Sequence, residues 1–153
     1  MPETDTAGQR RTAPLDSLIF VPMTNLTLLS VHHVAIICTD YAVSKAFYTE
    51  VLGLKIIREV YRAERGSYKL DLAIDGQYVI ELFSFPSPPP RASRPEAAGL
   101  RHLAFAVADV AVASQHLATH GVACEAIRVD ELTGRRFTFF SDPDGLPLEL
   151  YES

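Results

Sequence analysis

Cysteine is nearly absent: Cys38 and Cys124 are the only two in 153 residues. That rules against a disulfide framework. A reducing compartment fits, so we expect a cytoplasmic protein in which both thiols pack as small apolar groups. Positive charge is not in excess either. The net charge is -5 and the isoelectric point lies near 5.5. Such a chain has no overall attraction for nucleic acid or an anionic membrane surface, and neither is expected as a partner. No apolar run approaches the ~18 residues of a membrane span. The stretch "QRRTAPLDSLIFVP" has a basic pair and a short apolar patch, but it lacks the apolar core and small-residue cleavage site of a signal peptide. No phosphate-binding glycine loop is present. What remains is ordinary for a folded domain, with 48% hydrophobic and 22% charged residues. The length suits one domain with a core of its own.

Along the chain, residues 1–27 read as a polar tail without periodicity, inside which Met23 is a possible internal start. Residues 28–153 read as one domain. "LLSVHHVAIICT" is predicted to be a buried strand. "DYAVSKAFYTEVLG" is predicted to be a helix, capped by Asp40, with Val43, Phe47 and Val51 on one face and Gly53 at its end. "LKIIREVYR", "SYKLDLAI" and "QYVIELFSF" follow as strands, the last two joined by the turn signal Asp75-Gly76. A stiff connection over 86–98 holds five prolines between Pro86 and Pro95. The order then repeats: a strand in "LRHLAFAVA", a helix from Asp109 to Gly121, a strand in "VACEAIRV", and a hairpin turning at Asp142-Pro143-Asp144-Gly145. The class is therefore α+β, with two tandem βαβββ modules at about 30–85 and 99–152.

The repeat aligns polar residues as well as elements. His33 and His102 are 69 residues apart and Glu81 and Glu149 are 68 apart. Each histidine is followed two residues later by alanine, and seven residues later by the aspartate that caps the next helix. Strand alternation puts His33, Ala35 and Ile37 on one face and His32, Val34, Ile36 and Cys38 on the other. His102, Ala104 and Ala106 share a face in the same way. The bulky face suits a covering helix; the face of histidine and alanine lines a space. His33 is thus the candidate, and His32 reads as a strand-start histidine near the surface or in a polar contact. Glu81 and Glu149 are each lone acids in strongly apolar strands, and a buried unpaired carboxylate must find a partner. Two imidazoles and two carboxylates are a plausible ligand set for a divalent metal: His33, Glu81, His102 and Glu149. Mixed N/O ligation suits Ni, Co, Zn, Fe or Mn, and spare coordination positions would admit water and substrate.

In "HHVAIICTDYAVSKAFYTEVLGL", "YVIELFSF", "LRHLAFAV" and "SDPDGLPLELYE" the chain resembles the vicinal oxygen chelate superfamily, which includes the glyoxalases, fosfomycin- and bleomycin-resistance proteins and extradiol dioxygenases. The resemblance runs from Val31 to Glu152. It implies a cup-shaped mixed sheet around a metal, with ligands from the first and last strands of each module. It also implies a homodimer in which modules of two chains often complete each site. Epimerases of the superfamily tend to have Gln where this chain has Glu81, and the dioxygenases and fosfomycin enzymes typically keep only a His-His-Glu triad. The full set of four looks most like bacterial glyoxalase I. That implies a metal-dependent lyase or isomerase acting on a small α-hydroxycarbonyl or hemithioacetal through an enediolate. Glu149 would shuttle the proton and Glu81 would assist. Two positions depart from that pattern. Glyoxalase I usually has Arg four residues after the first ligand and Asn four after the first Glu; here they are Ile37 and Phe85. The metal chemistry therefore carries over better than glutathione does. The alternatives are epimerase or dioxygenase chemistry, or a protein that sequesters a small molecule without turnover.

Other polar residues read more simply. His116 and His120 stand at i, i+4 on the second helix, a zinc-binding spacing, but they are better explained as a solvated face near the helix C-terminus. Asp142 and Asp144 read as turn residues. Arg91, Arg94, Arg135 and Arg136 read as solvated, with one of them available to an anionic substrate at the cup's mouth. Cys38 lies on the bulky face, which argues against a nucleophile.

Overall fold

The computed structural model describes residues 26–153, and its compact body spans Val31–Ser153. Apart from 26 and 27, the expected tail lies outside the described residues. The first module runs β1 (Val34–Cys38), α1 (Tyr41–Ala46, continued by a π-helical turn Phe47–Val51), β2 (Lys55–Arg62), β3 (Ser67–Ile74) and β4 (Gln77–Ser84). The second runs β5 (Leu103–Val107), α2 (Val110–Thr119), β6 (Arg128–Val129), β7 (Arg136–Ser141) and β8 (Pro147–Glu152). Each module builds its own four-stranded mixed sheet, in the orders β1-β4-β3-β2 and β5-β8-β7-β6. The first strand of each module pairs parallel with its last strand, and the remaining pairs are antiparallel.

Local chemistry explains the elements. Asp40 and Asp109 both cap their helices, accepting from the Val43 amide at 3.1 Å and from the Ala111 and Val112 amides at 2.7 and 3.0 Å. Asp75 and Gly76 both have positive φ, 48° and 76°, as a two-residue hairpin turn with the right twist requires. Two predicted strands are shorter than expected. β1 begins at Val34, where β4 starts to offer ladder partners. In "VACEAIRV" only Arg128–Val129 joins the ladder. The rest is an irregular edge, held by the Glu125 amide on the Phe139 carbonyl and by the Thr138 hydroxyl on the Glu125 carbonyl, both at 2.8 Å.

The core lies on the bulky faces and joins the modules. Ile36, Cys38, Leu70, Leu72, Ile80 and Leu82 pack with Val110, Leu117, Phe140, Leu148 and Leu150 in one apolar cluster. Burial of this kind contributes about 25 cal/mol per Å² and dominates the stability of a domain this size. Phe47 lies 6.5 Å from the Phe140 ring, and the buried Tyr48 hydroxyl donates to Asp142 at 2.9 Å. Asp142 also caps its own turn through the amides of Asp144 and Leu146. The turn reading holds for the Asp142 carboxylate; that of Asp144, in the same turn, reaches instead to the first module and accepts from the Thr39 amide. With the bulky faces buried together, the opposite faces, which carry Ala35 and Ile37 and Ala104 and Ala106, remain open.

Candidate metal centre

Strand register builds the candidate site. In the first sheet Ala35, Glu81, Asp71 and Arg58 form one cross-strand row over β1, β4, β3 and β2. In the second, Ala104, Glu149 and Phe139 form the matching row over β5, β8 and β7. Directly paired residues project to the same face, so each glutamate shares the open face with the histidine at the head of its neighbouring strand. His33 Nε2 lies 3.2 Å from Glu81 Oε2, and His102 Nε2 lies 3.1 Å from Glu149 Oε2. The parity expected for His33 is thus realised. His32 is exposed, with its Nδ1 2.8 Å from His33 Nδ1.

The four residues come together as two pairs and not as one cluster. Among the described residues, no three His, Cys, Asp or Glu side chains are arranged to hold one ion. The donor set within each pair still suits a divalent cation. Two donors about 2.1 Å from one ion and at right angles to each other stand about 3.0 Å apart, close to both separations. One chain therefore presents two separate His–Glu pairs.

The two pairs differ in their surroundings. Glu81 Oε1, the oxygen turned away from His33, accepts from Lys69 and lies 2.5 Å from the Tyr78 hydroxyl. The Tyr78 ring stacks on His33 at 5.0 Å. Lys69 and Tyr78 also reach Asp71, at 3.1 and 3.0 Å, and the Arg58 guanidinium closes on its other oxygen at 3.0 and 2.6 Å. Burial pushes the Asp71 and Glu81 carboxyls up, but their hydrogen-bond partners outweigh it, led by Arg58 for Asp71 and by Lys69 for Glu81. Both stay below the ordinary carboxylate range. Burial, reinforced by the two carboxylates, pushes the Tyr78 hydroxyl up, so it stays protonated and donates. Around Glu149 the neighbours are aromatic instead. Phe139 meets His102 edge-on at 5.2 Å, and Arg128 lies 4.9 and 5.3 Å from the Phe137 and Phe139 rings. Register makes Phe137 and Phe139 the counterparts of Lys69 and Asp71. Among the described residues His102 is the side-chain partner of Glu149.

Sequence reasoning missed Lys69, Asp71 and Tyr78. The signal was available: Asp71 is an acid in the apolar strand "SYKLDLAI", the same feature that singled out Glu81. The weaker candidates stay weak. His116 Nε2 meets the Val51 carbonyl at 2.9 Å, and His120 Nδ1 meets the His116 carbonyl at 3.0 Å. Both imidazoles are used on backbone. Burial pushes the Cys38 thiol up to about 11, leaving it inert at neutral pH. Arg136 is paired with Glu152 and Asp109 and not simply solvated. Arg91 donates to the Leu100 carbonyl and the Ser93 hydroxyl, tying the proline-rich connection to itself. A cavity of about 970 Å³ opens beside the second pair, with Arg91, Arg94, Arg128, Phe137 and Phe139 in its wall. Among the described residues, no helix is long and apolar enough to cross a membrane.

Comparison with known proteins places the fold. YaeR of Escherichia coli (strain K12) is 68% identical over 127 residues, covering 83% of this chain and 98% of YaeR. A 2-epi-5-epi-valiolone epimerase of Actinomyces sp is 32% identical over 143 residues, 80% of this chain and 78% of the epimerase. The structure of the trypanothione-dependent glyoxalase I of Leishmania major superposes with a TM-score of 0.62 at 27% identity, covering 82% of this chain and 87% of that one. The family model for the Glyoxalase/Bleomycin resistance protein/Dioxygenase superfamily matches residues 30–150, and the chain belongs to that superfamily.

Proposed function

We propose that the protein is a glyoxalase I-like, divalent-metal-dependent lyase or isomerase. Its substrate would be a small α-hydroxycarbonyl or hemithioacetal. Its sites would be assembled from His33 and Glu81 of one protomer and His102 and Glu149 of a second copy. The observation that carries this reading is the pair of His–Glu half-sites in repeat register, each with Nε2 and Oε2 at ligand spacing. The open faces support the second copy. Ile37 of β1 and Val60 of the edge strand β2 are exposed apolar side chains on the open face of the first sheet, where a partner can cover them.

The roles follow from the surroundings. A bound Ni, Co, Zn, Fe or Mn ion would supply Lewis acidity to two adjacent substrate oxygens as a C–H proton leaves. Glu81 is held on its far oxygen by Lys69 and Tyr78, so it serves as a fixed ligand. Glu149 lacks such anchors and serves as the base, taking the proton from one carbon and returning it to the next. Phe137 and Phe139 give the second half-site an apolar wall.

A second reading is epimerisation, favoured by the epimerase relative. There the proton taken on one face by Glu149 would be replaced on the other face from solvent, since Lys69 and Tyr78 keep Glu81 ionised.

The test is elemental analysis of the purified protein. It is followed by assays on hemithioacetals and on α-hydroxyketones in D2O, with each of the five metals restored. Isomerised product under one of them supports the first reading, and deuterated, inverted substrate supports the second. A protein that neither retains nor takes up any of these ions would contradict both.

A further inference from the structure

On the open face of the first sheet, three cations of β2 and β3 lie between the Glu81 row and the Ser67 end, Arg58, Arg62 and Lys69, while Lys55 stands at the opposite end against Ala73. Two are neutralised, Arg58 by Asp71 and Lys69 by Asp71 and Glu81. Arg62 meets no carboxylate among the described residues. Its Nη2 donates to the Ser67 hydroxyl, while its Nε is buried without a partner. Arg62 is also the least exposed residue of β2. Its guanidinium lies over two aromatic faces, 4.8 Å from Phe83 and 5.5 Å from Phe85. A half-buried guanidinium with an orphaned N–H is costly unless an anion completes it.

We propose that Arg62 is the receptor for a carboxylate at the far end of the substrate. The proposal rests on the metal-centre reading for the near end. Phe83 stands two residues beyond Glu81 on β4, about 7 Å along the strand, and the paired, exposed Ile37 continues the apolar strip. The ligand is therefore an oxygen pair at the His33–Glu81 half-site, a short apolar spacer over Phe83 and Ile37, and a terminal anion at Arg62. A planar carboxylate fits one guanidinium fork, whereas a phosphate dianion would call for a second free cation, and Arg58 and Lys69 are already engaged. Arg62 thus provides from β2 an anion contact that Ile37 and Phe85 cannot make.

The experiment uses calorimetric titration of the Mn2+-loaded protein with lactate, malate, 2-hydroxyglutarate and 2-hydroxyadipate. These share one chelating end and differ in the distal carboxylate. The expected result is that at least one diacid binds ten-fold or more tighter than lactate. Arg62→Gln removes that gain without changing lactate binding, and Arg62→Lys keeps part of it. Unchanged melting curves for both variants show that the fold is intact. If lactate fails to bind but a diacid binds in an Arg62-dependent way, the receptor stands and the chelating near end falls. If no diacid exceeds lactate, or the gain survives Arg62→Gln, the proposal is overturned.

Discussion

The Tyr78 hydroxyl lies 2.5 Å from Glu81 Oε1, the carboxylate oxygen that faces away from His33. The contact leaves Oε2 presented beside the imidazole. Tyr78→Phe removes this anchor without changing the charge, whereas Lys69→Met would also remove a cation and so mix two opposed effects. Tyr78→Phe should weaken Mn2+ binding by about ten-fold. In a Glu81→Ala background the same change should have no further effect, because Tyr78 acts through Glu81. Additive losses in the double variant would refute that route.

His33→Ala should remove most bound metal while the circular dichroism spectrum is kept, since Ala fits beside Ala35 and the buried face is untouched. His32→Ala should retain binding, weakened by about ten-fold at most, because His32 only orients His33 through Nδ1. Metal analysis of the two variants decides. The reverse pattern would mean that the strand parity is wrong.

Asp71 is almost fully buried under three donors, Arg58, Lys69 and Tyr78. Asp71→Asn should cost about 2 kcal/mol in urea unfolding, from lost charged hydrogen bonds. Its carboxyl and that of Glu81 titrate lower in the folded state than in the unfolded one. Their stabilisation is therefore complete above the unfolded value, about 4, and is lost as pH falls through the folded values. The melting temperature should drop through that acid range, and less steeply in Asp71→Asn. An equal slope in the variant would show that other groups carry the acid sensitivity.

The repeat made most of the fold legible. Capping aspartates, the Asp75-Gly76 turn and alternating apolar residues recur at matching places, and the helices, hairpins and strand parity follow from them. Strand lengths were less legible, because β1 and β6 extend only as far as a neighbour supplies hydrogen bonds, which periodicity does not encode. The four residues His33, Glu81, His102 and Glu149 were readable, since each was a polar exception at a repeated position, but their separation into two pairs was not. Nor were the unequal surroundings of the two glutamates. Lys69 and Phe137 occupy the same place in the repeat, yet only the register that brings β3 beside β4 and β7 beside β8 shows what each faces. Arg62 was silent for a similar reason: its lack of a counter-charge is a property of the assembled face and not of "EVYRAE".

The central claim is that each metal site joins His33 and Glu81 of one chain to His102 and Glu149 of another. It is tested most directly by isolating the heterodimer of Glu81→Ala and Glu149→Ala chains, co-expressed with different tags, and counting Mn2+ ions by titration. Shared sites predict two ions per wild-type dimer, none at comparable affinity in either mutant homodimer, and one in the heterodimer, whose intact glutamates meet in one of its two sites. A heterodimer that binds no ion at wild-type affinity, or a wild-type protein that binds its ions as a monomer, would contradict the account.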